Sequence, residues 1–73
     1  MMGKRLASEA KSDLAGRMFA RLTAELEYAH ELSIDGQNPR GTPAHRRNVL
    51  RRLYRRLDRC RGVMVEISNS LRP

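Results

Sequence analysis

A chain of 73 residues and 8.4 kDa allows a single domain, and it excludes a large self-sufficient core, because a lone core in so short a chain supplies only about 3–5 kcal/mol. Hydrophobic residues at 40% are too many for a disordered segment, and the single cysteine, Cys60, excludes a disulfide within the chain. The net charge of +7, with arginine supplying thirteen of the fifteen basic residues, points to nucleic acid, an anionic surface or an acidic protein as partner.

The opening run "MMGKRLASEAK" lacks the apolar stretch of a secretory signal, and nowhere do apolar residues run for the 18–20 positions that a membrane span needs. A cytoplasmic location is expected, where the lone thiol would stay reduced. Beyond this run, Ala15, Met18, Phe19, Leu22, Leu26 and Ala29 gather on one face at helical spacing. They predict a first helix over about 8–33, capped at its start by Ser8 or Ser12 and weakened by Gly16.

The segment Ser33 to Pro43, "SIDGQNPRGTP", collects two glycines, two prolines, Asp35 and Asn38, and reads as a loop over 34–42. Asp35-Gly36 suits the end of the preceding helix. Thr42-Pro43 suits the start of the next, with Thr42 as N-cap and Pro43 at the first helical position.

In the second half, Leu50, Leu53, Leu57, Cys60, Met64, Ile67 and Leu71 are spaced 3, 4, 3, 4, 3, 4. This a/d pattern predicts a helix over about 43–70 with one apolar stripe, interrupted only by Gly62. No stretch shows strand alternation. The fold class is therefore all-α, one domain over 1–73: an antiparallel two-helix hairpin, completed to a four-helix bundle by dimerisation or by another protein. Met18, Phe19, Leu22 and Leu26, with the seven residues of the second stripe, are the expected seam and dimer interface.

Between Pro43 and Arg61 stand eight arginines and one acid, Asp58. Arg51, Arg55 and Arg59 form a row at i, i+4 and i+8 opposite the stripe; Arg52 lies beside the row, and Arg47 and Arg56 border the seam. Like charges at this spacing repel by a few tenths of a kcal/mol per pair, so they need a compensating contact. The first helix offers Glu25, Glu27 and Glu31, and Glu25 or Glu31 can meet Arg46 or Arg56 across the hairpin. Even then residues 22–61 hold nine basic groups against five acidic ones. Guanidinium groups donate paired hydrogen bonds to phosphate, so Arg47, Arg51, Arg52, Arg55 and Arg59 are the expected contact face for a nucleic-acid backbone, RNA or DNA. The alternative is an adaptor or chaperone-like hairpin whose arginines meet an acidic or helical protein.

Base-specific reading is disfavoured, since Phe19, Tyr28 and Tyr54 are the only aromatics. The connection is too long for a helix-turn-helix, which turns in three or four residues. No metal and no cofactor is expected: Cys60, His30 and His45 lack zinc-site spacing, and Gly36 and Gly41 make no phosphate loop. Glu27, His30 and Glu31 share a helical face that reads as solvated, so no enzyme is expected. A basic amphipathic helix can also lie on a membrane, but the narrow heptad stripe without Trp suits a protein seam better.

The run "GQNPR" followed by "LRRLYRRL" resembles the second half of the small helical-hairpin protein of the large ribosomal subunit, over about a third of the chain. That resemblance implies a basic two-helix hairpin that binds ribosomal RNA. The connection here is longer, Arg55 stands where the family usually has a small residue, and the characteristic N-terminal segment is missing. By outline alone the chain is also similar to the hairpin co-chaperones that hold secretion-needle subunits.

Overall fold

The computed structural model describes the backbone from Met2 to Pro73 and the side chains from Ser12 onward. Two helices, α1 (Met2–Gly36) and α2 (Pro43–Ser70), pack antiparallel around one turn. The Cα trace measures 62 × 14 × 9 Å, a single layer of two rods, so each helix keeps most of its circumference toward solvent. No described helix is long and apolar enough to cross a membrane.

The turn is built by short polar side chains. Asn38 Oδ1 accepts from the Arg40 amide at 3.0 Å, and the Asn38 carbonyl accepts from the Gly41 amide and from the Arg46 guanidinium. Thr42 has extended backbone and its Oγ1 accepts from the His45 amide at 3.0 Å, with Pro43 next to it where no N–H is missed. α2 therefore has the span that its sequence predicts. α1 is longer at both ends than 8–33: it starts at Met2, so neither Ser8 nor Ser12 caps it, and it continues to Gly36. The extra C-terminal turn is held by tertiary contact, since Gly36 sits against Val49.

The seam is a regular two-row ladder on each helix. On α1, Ala15, Met18, Leu22, Glu25, Ala29, Leu32 and Gly36 are buried or half-buried; on α2, the same holds for Val49, Leu53, Arg56, Cys60, Val63, Ile67 and Ser70. Both follow the 3–4 spacing of a coiled coil. Met18, Leu22, Leu53, Cys60 and Ile67 lie where the sequence pattern puts them. Phe19, Leu26, Leu50, Leu57, Met64 and Leu71 do not: they are 47–52% exposed, Leu71 55%, and form a second stripe beside the seam.

The reason for this correction lies in the partner helix. The row 53/60/67 can share a seam with either neighbouring row, 50/57/64 or 49/56/63. On α1 the facing residues include Ala15, Ala29 and Gly36, which let the helices approach closely and favour the compact, β-branched Val49 and Val63 over leucine. Turning α2 this way also brings Arg56 to Glu25. Gly62 faces open space, with nothing within 4 Å of where a Cβ would stand. Gly62→Ala should therefore stabilise the hairpin by up to about 1 kcal/mol, a rise of roughly 4–8 °C in Tm measured by circular dichroism.

Candidate nucleic-acid interface

Ion pairs and hydrogen bonds across the turn identify the two broad faces of the hairpin. On one face His45 Nε2 lies 3.4 Å from Asp35 Oδ1, and Arg52 donates to the Tyr28 hydroxyl at 2.8 Å. Arg21, one turn pair before Tyr28 on α1, and Arg59, one turn pair beyond Arg52 on α2, extend the same face. The stripe of Phe19, Leu26, Leu50, Leu57, Met64 and Leu71 occupies the opposite one. The molecule thus has a basic side and an apolar side.

At the centre of the basic side, Arg56 reaches back over the seam. Its Nη1 donates to Glu25 Oε2 at 2.6 Å, and its guanidinium stacks on the Tyr28 ring, 4.0 Å from the centroid. Both charged side chains are about four-fifths covered, a pairing the sequence offered as one of several. The hydrogen bond from Arg56 holds the Glu25 carboxyl below its ordinary value of 4.5, helped by the nearby charges of Arg59 and Arg21 and opposed by partial burial. The same bond pushes the Arg56 guanidinium further up. A lowered carboxyl contributes stability that is present above its ordinary value and is lost as pH falls through its folded value. Acid titration below 4.5 should thus loosen the hairpin, and Glu25→Gln should flatten that part of the stability–pH curve in thermal melts.

Tyr28, Arg52, Arg55, Arg56 and Arg59 line one cleft of about 230 Å³. That is smaller than the roughly 300–1,000 Å³ of ordinary small-molecule pockets, but it has the donors that a phosphate group needs. Arg52, Arg55 and Arg59 of the expected contact face are brought together here. Arg51 lies on the outer side of α2 and Arg47 at the border of the apolar side; both are exposed and neither lines the cleft. Among the described residues none of these five is in an ion pair. Tyr28 is the lining residue that sequence reasoning missed, and Arg56 was expected at the seam edge but not as part of the contact face. Their signal was weak, because which residue of α1 faces which residue of α2 depends on the rotation and alignment of the two helices.

Other candidates are placed as follows. Glu27, His30 and Glu31 line a shallow depression with Thr23 and Leu26 on the outer side of α1. Cys60 is buried in the seam at 3% exposure. Among the described residues no three of His, Cys, Asp and Glu stand together as a metal site would require.

Compared with protein-family models, curated proteins and solved structures, the chain matches none. The partial resemblance to the ribosomal hairpin family therefore has no support from these comparisons, and what is shown of the fold is a helical hairpin.

Proposed function

We propose that this chain is a small non-enzymatic binding protein of the cytoplasm that grips the phosphate backbone of nucleic acid, in a regulatory or ribonucleoprotein role. The observation that carries this reading is the convergence of four guanidinium groups on one cleft whose lining holds no carboxylate, only Arg56 being taken up by Glu25 among the described residues. Arg55 and Arg59 keep their charge available, while Arg52 is steadied by Tyr28. Tyr28 lies under Arg56, so the cleft presents donors rather than a free ring, which suits backbone contact and not base stacking.

Affinity for generic RNA and DNA as a function of salt tests the reading. Each phosphate neutralised adds about 0.9 to the slope of log K against log salt on duplex and about 0.7 on single strands. A protein that binds neither at low salt is not a nucleic-acid hairpin. The second reading, a protein-binding adaptor, is favoured by a different observation: six large apolar side chains face solvent on the other side. Association of hairpins into a four-helix bundle belongs to either reading.

A further inference from the structure

The apolar side has a composition and a layout of its own. Phe19 and Leu26 on α1 run alongside Leu50, Leu57 and Met64 on α2 and Leu71 at its C-cap, each about half exposed. None of the charged pairs described above falls among them. These last four residues recur every seven positions over about 32 Å of the α2 axis at 1.5 Å per residue. This is the third row that a helix carries when it contacts two neighbours, where a lone hairpin needs only two rows.

We infer that this stripe is the contact surface for a second copy of the same chain. Three observations on the molecule select that occupant. First, six half-exposed side chains leave on the order of 500 Å² per hairpin, and two copies close roughly 1,000 Å², the lower bound for a specific interface. Second, the borders of the stripe are complementary to one another: the α1 border carries Glu27 next to Leu26, and the α2 border carries Arg47 and Arg61. A two-fold axis parallel to the helices lays α1 of one hairpin over α2 of the other and sets acid against base at both borders. Third, the cleft arginines lie on the far side, so two copies of a +7 chain associate with those charges turned away from each other. A strongly acidic partner would instead seek the arginine side.

The product is a four-helix bundle with an arginine cleft on each outer surface. Its existence does not depend on what those clefts bind. Sedimentation equilibrium of the full chain at tens of micromolar should return twice the 8.4 kDa chain mass. Leu57→Glu should weaken association by at least about a hundredfold while the far-ultraviolet spectrum stays helical. Mixing a Leu26→Cys chain with a Leu57→Cys chain under oxidation should yield the mixed disulfide in preference to either symmetric one. A wild-type chain that stays at monomer mass overturns the inference, including when it then takes up an unrelated helical protein or an anionic vesicle. Preference for the symmetric disulfides overturns the arrangement. The wild-type mass decides the matter even where a variant fails to fold. Failure of nucleic-acid binding leaves that mass untouched, so the two readings fail separately.

Discussion

Replacing Arg52, Arg55 and Arg59 together with glutamine should reduce the salt slope of nucleic-acid binding by roughly 2 to 3 units while the protein stays folded. All three side chains are exposed, and none is in an ion pair among the described residues. Removing them takes no carboxylate's partner away and relieves the repulsion between Arg55 and Arg59 at i, i+4, a few tenths of a kcal/mol. The only described bond lost is the one from Arg52 to the Tyr28 hydroxyl. Binding should therefore collapse while the thermal midpoint barely moves. A control with Arg47 and Arg72 changed to glutamine, both outside the cleft, should lose much less. Fluorescence anisotropy across a salt series reads both variants, and equal losses in the two would refute the cleft as the contact site.

Ile67→Ala should destabilise the hairpin itself and so lower the melting temperature even in the most dilute samples, whereas Met64→Ala should act only through association. Both residues belong to the same 3–4 stripe in the sequence, one turn apart. Ile67 is 4% exposed and seated in the seam, so truncation removes buried methylenes and leaves a cavity, at about 2–5 kcal/mol. That is comparable with the whole stability a core of this size supplies. Met64 is half exposed within one hairpin, so its truncation costs the hairpin little. Its effect should appear as a lower melting temperature at concentrations where wild-type chains pair, with the two proteins converging on dilution. Melting curves across a concentration series separate the two.

The hairpin itself was legible from punctuation and periodicity. Thr42-Pro43 has few alternative uses, and its cap geometry is what the residue types demand. The start of α1 was not, because the serines at 8 and 12 resemble caps and nothing in "MMGKRLA" forbids a helix before them. The rotation of α2 was the largest thing the pattern concealed. A reading by hydrophobicity picks Leu50 and Leu57 and passes over Arg56, since charged residues are not expected in a seam. The actual seam accepts Arg56 because Glu25 stands opposite and Tyr28 lies beneath it. Those three come together only once the two helices are aligned, across a separation of 28 to 31 residues that local spacing does not encode. For the same reason the contact face could be read as a set of arginines, but its division into Arg52, Arg55 and Arg59 within the cleft and Arg47 and Arg51 outside it could not.

One row of α1 has a consequence for what the chain can tolerate. Ala15, Leu22, Ala29 and Gly36 recur every seventh residue along the line of contact, and three of the four carry one side-chain carbon or none. Helix separation is set by whatever stands between the axes, so these thin residues act as the spacers of the structure. A methyl at position 36 would rest 3.5 Å from Val49 Cγ1, an ordinary touch, but anything wider must wedge the rods apart and swing α2 around its axis. Enlarging the smallest side chains, rather than trimming the largest, is thus the shortest route to a hairpin whose guanidinium groups no longer meet.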